Sequence, residues 1–232
     1  MLIRALTRTL NQALDPTFRS VILKSTLITI LIYGLLTVLF YWLRPDVQYF
    51  DADGWFAWAN DAMELGSSLL FFALLVLLFA STASLISTLF LEEIADAVER
   101  RYYPDTPTPR KVSLGEAFAV SLKFTVITLL LNVVVLPIYL LALLFPPLFL
   151  IIFYGLNGYL LSREYFELVS LRHMKQNQAS GIRKINRGPV LLAGVAIAFG
   201  TTVPIVNLFV PILATALMLH VFQHLWTNKN AD

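Results

Sequence analysis

Long apolar stretches separated by short charged ones run along the whole chain, and they predict membrane-spanning helices. Four such stretches cover residues 25–43, 66–91, 124–162 and 188–223. A hydrocarbon core of about 30 Å takes about 20 apolar residues for each helical crossing. The first two stretches therefore suit one crossing each, whereas each of the last two is long enough for two legs.

Both of the longest stretches are broken in the middle by prolines. The first break, Leu144-Phe145-Pro146-Pro147-Leu148, has no side chain that forms hydrogen bonds, and the second lies within Pro204–Pro211. A turn that emerges into water normally carries Gly, Asn, Asp or Ser. We therefore expect two helical hairpins that penetrate only part of the bilayer, with tips against other protein, because interrupted backbone inside a bilayer needs enclosed partners. The alternative is a plain six-span protein whose tips stand in water.

Composition agrees with an integral membrane protein of the all-α class, since 58% of residues are hydrophobic and the mean hydropathy is +0.73. We predict a single membrane domain, residues 1–232, and no cysteine is present for disulfides or thiolate chemistry. The N-terminal segment has Leu2, Leu6, Leu10 and Leu14 on one face, so it is predicted to lie along the membrane surface and not to be a cleaved signal peptide. The predicted parts are residues 1–20 (amphipathic segment), 21–43 and 66–103 (long transmembrane helices), 44–65 (external loop), 113–175 (first hairpin with cytoplasmic helical extensions) and 188–226 (second hairpin).

The distribution of Lys and Arg predicts the orientation. Four lie in residues 1–24, five in 92–123 and six in 163–187, whereas residues 44–64 hold one among several acidic residues. Basic loops stay in the cytoplasm. Both termini are therefore expected there, and Asp53–Trp58 is expected to be an aromatic anchor at the outer interface.

Recognisable catalytic motifs are absent, so we predict a protein that is not an enzyme and that takes no cofactor and no nucleic acid. His220 and His224 have the i, i+4 spacing of metal ligands, with His173 as a conceivable third, but we favour interfacial residues and predict no metal site. Arg163 and Glu167 are spaced for a structural ion pair, with ion binding at a cavity mouth as the alternative. The polar residues considered for a pore or for structure are Arg163, Glu164 and Asn207, and Asn207 is expected to satisfy the broken backbone of the second tip.

A candidate anion site precedes the first span. Asp15 can cap a helix that begins at Pro16, which leaves backbone amides of the first turn without acceptors next to Arg19. The hydroxyls of Thr17 and Ser20 add donors, and a helix N-terminus of this kind binds oxyanions. An ordinary capped helix is the commoner interpretation of the same spacing.

The sequence resembles the CysZ/EI24 family of bacterial inner-membrane sulfate permeases at three places: Pro16–Val21, Gly158–Met174 with its Arg-Glu-Tyr-Phe-Glu run, and the proline-framed Asn-Leu-Phe of Pro204–Pro211. The resemblance implies two long transmembrane helices, two partially penetrating hairpins, homo-oligomers and sulfate uptake that supplies cysteine biosynthesis.

The same resemblance implies a sulfate site of the type Gly-Leu-Arg-Arg, which falls here on Thr17, Phe18, Arg19 and Ser20. The second arginine of that pattern is a serine in this chain, and Asp15 stands beside it. The expected partners are sulfate, membrane lipids and further copies of the chain. No energy-coupling domain is expected, so passive flux and ion-coupled flux are both left open. The rival class is a membrane scaffold or lipid-binding protein of envelope biogenesis that transports nothing.

Overall fold

The computed structural model describes residues 1–43, 54–55 and 58–231, and the regular elements among them are all helical. The helices are, in chain order, α1 (Leu2–Gln12), α2 (Pro16–Leu43), α3 (Trp58–Ser87), a 3₁₀ turn (Thr88–Phe90), α4 (Leu91–Tyr102), α5 (Leu114–Ala142), α6 (Pro146–Ser170), α7 (Gln176–Ile185), α8 (Arg187–Thr202), α9 (Pro204–Asn207) and α10 (Val210–Ala231). The predicted all-α membrane class is confirmed, because four helical stretches are long and apolar enough to cross a bilayer. They are Pro16–Leu43, Trp58–Tyr102, Phe118–Ala142 and Val210–Thr227.

Helices α2 and α3 form an antiparallel pair held by polar and aromatic contacts. The Tyr33 and Thr82 hydroxyls lie 2.7 Å apart. The rings of Phe40 and Phe71 stack with their centroids at 4.1 Å. A hydroxyl pair in hydrocarbon satisfies groups that lipid cannot, and it fixes how the two helices face each other.

The second long helix begins earlier than its sequence predicts. The expected external loop was 44–65, but α3 already starts at Trp58, so residues 58–65 are helical. They contain no glycine or proline, and Asp61 in the first turn complements the positive end of the helix dipole. Part of the predicted outer aromatic anchor, residues 53, 56 and 57, lies outside the described residues, whereas Trp55 and Trp58 are both exposed.

Each predicted proline break ends one helix and starts another. In the first, Pro146 opens α6 directly after the turn Leu143–Phe145, and prolines are well suited to the first helical position. The amides of Leu143, Leu144 and Phe145 bond to Tyr139, Leu141 and Ala142 carbonyls at 2.9–3.2 Å. The turn therefore satisfies these three amides itself, although Leu144 is 86% exposed, and contact of this tip with other protein inside the membrane stays a prediction.

The second break is the short helix α9. Directly after it, the Phe209 amide donates to the Val206 carbonyl at 2.8 Å. Asn207 uses its own backbone amide to bond the Val203 carbonyl at 2.8 Å, and within the described part of the chain its side chain makes no hydrogen bond. We expected the Asn207 side chain to satisfy the broken backbone of this tip, and in the described structure it does not.

The core lies between α6, α8 and α10, and α1 and α4 pack against its sides. Phe166 and Phe222 are fully buried and meet edge to face at 5.8 Å. The span in α10 is 78% buried, whereas those in α2, α3 and α5 are 6%, 11% and 0% buried. The molecule thus has a packed body and three peripheral helices whose apolar surfaces suit lipid.

Helix α1 belongs partly to that body. Ala5, Thr9 and Gln12 are buried, and Leu2 and Leu6 pack against the core. Leu10 is 62% exposed and Leu14 70% exposed. The four leucines predicted to face the membrane together are therefore divided, because the helix turns its N-terminal leucines toward the protein.

Candidate functional site

The predicted anion-site residues lie in the first turn of α2, and the helix begins at Pro16 as expected. Phe18 is 1% exposed, so it anchors this turn in the body and leaves almost no surface, backbone included, for a ligand. Arg19 is exposed, and within the described chain its guanidinium makes no hydrogen bond or ion pair. Thr17 and Ser20 are half-buried on either side of it. The turn therefore presents one available cation with two neighbouring hydroxyls.

Asp15 is held by an arginine from a distant part of the chain. Both of its carboxylate oxygens accept from one guanidinium nitrogen of Arg101, near the end of α4. Its backbone carbonyl accepts from the Arg19 amide at 3.0 Å. The carboxylate is thus paired across the helix entrance. Sequence reasoning missed Arg101, since the contact joins positions 86 residues apart.

A second ion pair between the same two helices lies farther along. Lys24 Nζ contacts the two carboxylate oxygens of Glu93 at 3.1 and 2.8 Å. Both side chains are nearly half exposed, so the pair contributes at most about 1 kcal/mol. Together the two pairs show that α4 runs antiparallel to the start of α2 and brings charged residues beside the candidate site.

An ionic cluster around the buried Arg172 lies on the other face of α4, with Glu99 buried, Asp96 half-exposed and Glu92 exposed. Arg172, which is 3% exposed, donates to Glu92, Asp96 and Glu99. Glu99 also contacts His173 Nε2 at 2.8 Å. The three acidic positions repeat at i, i+4 and i+7 on α4, and that spacing was the signal that could have revealed the cluster from sequence.

Arg163 and Glu167 form the expected i, i+4 pair, with Nε and Oε1 at 3.0 Å. Both are about 5% exposed, and Arg183 of α7 approaches the same carboxylate at 4.0 Å. Glu164, by contrast, points to the exposed side of α6. The structure thus separates Arg163 from Glu164, and it places Asn207 at the other end of the molecule, at the second tip.

Two of the three histidines, His173 and His220, are occupied in different ways. His173 is bonded to Glu99 and stacks on Trp226 at 5.1 Å. His220 Nδ1 lies 2.8 Å from the Tyr103 hydroxyl, which Arg8 approaches at 3.5 Å. Burial raises the pKa of Tyr103. Among the described residues no group of three His, Asp or Glu side chains is arranged for a metal ion.

Arg110 holds the linker before α5 against the end of α6. Its guanidinium donates to the Leu171 carbonyl at 2.8 Å and to both Glu116 oxygens at 2.9 and 2.6 Å. Hydrogen bonds from Arg110 lower the pKa of the Glu116 carboxyl. Ser113 caps α5 by accepting from the Glu116 amide at 3.2 Å, as its spacing predicts.

These features define a polytopic helical membrane protein whose first span starts with a cation, Arg19, that has no partner among residues 1–43, 54–55 and 58–231. Residues 5–211 match the family described as sulfate transporter CysZ/etoposide-induced protein 2.4. That match covers most of the chain, and the protein belongs to this family. No individual curated protein matches the sequence.

Proposed function

We propose that this protein is a sulfate permease of the bacterial inner membrane, which works as a homo-oligomeric channel or carrier and supplies cysteine biosynthesis. The family match over residues 5–211 is the observation that carries the proposal. A transport role also agrees with the absence of recognisable catalytic motifs, so no enzymatic activity is proposed. Both termini are placed in the cytoplasm on the distribution of Lys and Arg.

Sulfate is captured at the first turn of α2 in this proposal. Arg19 supplies a charge-assisted hydrogen bond, and the backbone amide of Thr17, which has no acceptor within the helix, lies in the same turn. The Thr17 and Ser20 hydroxyls supply further donors. An oxyanion with four acceptor oxygens suits such a set of donors, and the helix dipole favours its charge.

Arg101 supplies the second positive charge that the family pattern has at the position of Ser20. Asp15 and Arg19 are one helical turn apart, and Arg101 is bound to Asp15. The three side chains together carry a net charge of +1, and the pairing with Arg101 reduces the repulsion that Asp15 would exert on a dianion. The carboxylate then serves to hold Arg101 at the mouth of the site.

Radiolabelled sulfate flux into proteoliposomes tests this function, with empty liposomes as the blank. The Arg19→Ala variant should weaken sulfate binding by about 1.5 to 3 kcal/mol, the value of a charge-assisted hydrogen bond. Arg101→Ala should weaken binding too, and so should Asp15→Asn, because Arg101 then loses the carboxylate that holds it at the mouth of the site. Lys24→Ala is the matched control, because Lys24 is already paired with Glu93 and lies five residues beyond Arg19 along the same helix. Flux that equals the blank would reject transport, and unchanged affinity in folded Arg19→Ala would reject this site.

A second candidate function is lipid binding, and one cavity favours it. A space of about 110 Å³ lies between α1, α8, α9 and α10. Its lining is apolar except for Thr9, whose hydroxyl is bonded to the Ala5 carbonyl at 3.0 Å. Such a cavity fits part of an acyl chain. Retention of the same lipid through purification by a protein with no sulfate flux would favour this function.

A further inference from the structure

The corner between α7 and α8 carries two exposed cations and a protruding apolar side chain. Helix α7 ends at Ile185 and α8 begins at Arg187, with Asn186 between them. Lys184 and Arg187 are exposed, and Ile185 is 80% exposed. A Cβ atom added at Gly188 would meet nothing within 4 Å, so the corner is open to its surroundings. Cations beside an aliphatic side chain are typical of helices that lie at a membrane interface.

The chain itself does not neutralise these two cations. Residues 168–231 contain no Asp or Glu. Within the part of the chain that the structure describes, neither Lys184 nor Arg187 forms an ion pair or a side-chain hydrogen bond. Arg183, one residue earlier, has a side chain only 15% exposed and approaches the Glu167 carboxylate at 4.0 Å. The two outward cations are therefore available to an anion from outside the chain.

An apolar strip continues from this corner along the outer face of α8. Leu191 is 38% exposed, Leu192 57% and Phe199 61%. Leu192 and Phe199 are seven residues apart, and side chains at that spacing lie on one face of a helix. From Arg187 to Phe199 the helix rises about 18 Å, close to the roughly 15 Å hydrocarbon depth of one leaflet. The strip thus has the length of an acyl chain, and the cations stand at its polar end.

The deep end of the strip borders other parts of the body. The ring of Tyr154 in α6 lies 6.2 Å from that of Phe199, measured between centroids, and its hydroxyl is 3.2 Å from Thr202 Oγ1. Ala196 and Gly200, next to the strip on α8, line the apolar cavity of about 110 Å³. A hydrocarbon chain on the strip therefore has an aromatic ring and an apolar space beside its end.

We propose that the corner of α7 and α8 binds one phospholipid with an anionic headgroup. Its phosphate contacts Lys184 and Arg187, and an acyl chain lies on Leu192 and Phe199. A lipid fits better than a soluble anion, because the surface below the cations is apolar. An anionic headgroup fits better than a zwitterionic one, because the amine of a zwitterionic headgroup already balances its phosphate. In the orientation proposed above this corner faces the cytoplasmic leaflet, where anionic lipids attract Lys and Arg.

This proposal does not rest on sulfate transport. It uses none of the residues assigned to the anion site at the start of α2, and a lipid at this corner is a ligand of a permease and of a scaffold alike. Sulfate flux and lipid occupancy are separate measurements. Each proposal can therefore fail without the other.

Quenching of tryptophan fluorescence by brominated lipid tests the site in nanodiscs of phosphatidylcholine. Leu192→Trp places a fluorophore on the strip, and its signal is the difference from the unaltered protein, which has four tryptophans. Brominated phosphatidylglycerol should quench this signal at a mole fraction about 25-fold lower than brominated phosphatidylcholine, from about fivefold for each cation. Leu130→Trp on α5 is the matched control, since Leu130 is 59% exposed, and there the two lipids should quench alike.

The role of the two cations is tested in the Leu192→Trp protein. Lys184→Gln with Arg187→Gln should abolish the preference for phosphatidylglycerol, whereas Lys184→Arg with Arg187→Lys keeps both charges and should keep it. Lys175→Gln should also keep it, because Lys175 lies at the other end of α7, where its charge acts on Glu116. Unchanged quenching of Leu130→Trp in each variant shows that the protein is still folded in the bilayer.

Three results would overturn the proposal. Equal quenching of Leu192→Trp by the two lipids would show that ordinary bulk lipid covers the strip. Relief of the quenching by excess glycerol phosphate would show that the ligand is a soluble phosphate. Absence of quenching by either lipid would show that protein covers this face of α8.

Discussion

The closest approach of two helices in the body gives the sharpest prediction for stability. A Cβ atom added at Gly194 of α8 would lie 2.0 Å from the Gly158 carbonyl oxygen of α6 and 2.4 Å from Ser162 Cβ. A Cβ added at Gly158 would meet Val195 Cγ2 at 2.6 Å. Because ordinary contacts begin near 3.4 Å, Gly194→Ala has to separate the helices by about 1.4 Å (3.4 − 2.0). The obstacle is backbone, which cannot rotate away.

Overpacking of this kind costs about 1 to 3 kcal/mol, and we expect the upper end, because α6 and α8 form the main helix pair of the body. Alanine gains up to about 1 kcal/mol in helix propensity, which offsets part of the cost. Gly155→Ala on α6 is the matched control, since nothing lies within 4 Å of its added Cβ and only the propensity gain applies. The two variants are therefore expected to shift stability in opposite directions.

The assay is thermal unfolding of detergent-purified protein, followed by size-exclusion chromatography with fluorescence detection. A loss of about 2 to 3 kcal/mol corresponds to a Tm lower by roughly 4 to 12 °C for a chain of this size. Gly155→Ala should hold or raise the Tm. A Gly194→Ala protein as stable as Gly155→Ala would show that α6 and α8 do not approach this closely, and the arrangement of the body would have to be revised.

Three further predictions concern charge and topology. Arg163→Met alone should cost about 3 to 5 kcal/mol, because it leaves Glu167 buried, while the double change with Glu167→Leu should recover most of that loss in a comparison of melting curves. A cysteine at Gly54 should react with an impermeant thiol reagent outside the cell, and one at Asn177 only after the inner face is opened; external reaction at Asn177 would reverse the proposed orientation. The lowered pKa of Glu116 means that its pairing stabilises the fold above the ordinary carboxyl pKa and is lost as the pH falls through the lowered value. Glu116→Gln should therefore reduce the loss of stability on acidification, and an unchanged acid profile would assign that loss to other groups.

Local signals in the sequence predicted local structure well. The start of α2 at Pro16, the Ser113 cap and the Arg163–Glu167 pair were all expected and are all present. Each depends on residues within four positions of one another, so spacing alone is enough to find them. The membrane class followed from hydropathy. Hydropathy indicates that a helix lies in an apolar environment, but it does not show which helix packs against it.

Contacts between distant positions were not predictable in the same way. Nothing near Asp15 points to Arg101, and nothing near Gly194 identifies Gly158 as the backbone that it meets. A small residue in an apolar helix is compatible with packing against any neighbour, so the sequence shows the possibility of close approach and not the pair.

The position of the candidate site between the packed body and the peripheral helices bears on how transport can work. Phe18 and Val21 are buried, so they tie the start of α2 to the body, whereas the rest of that helix is mostly exposed. Helix α4 crosses the same place with Arg101 on one face and the Arg172 cluster on the other. Arg172 and Glu99 are buried and multiply bonded, so they hold α4 to the body, and α4 positions Arg101. Arg19 and Arg101 are therefore both held by the body, and a site that needs both cations depends on the distance that the body fixes between them. In this proposal one dianion contacts both arginines at once, so Arg19→Ala should remove most of the protection that sulfate gives Arg101 against an arginine-specific reagent, and Arg101→Ala should do the same for Arg19, as measured by peptide mass spectrometry. Undiminished protection of the remaining arginine in either variant would indicate that each cation binds sulfate independently.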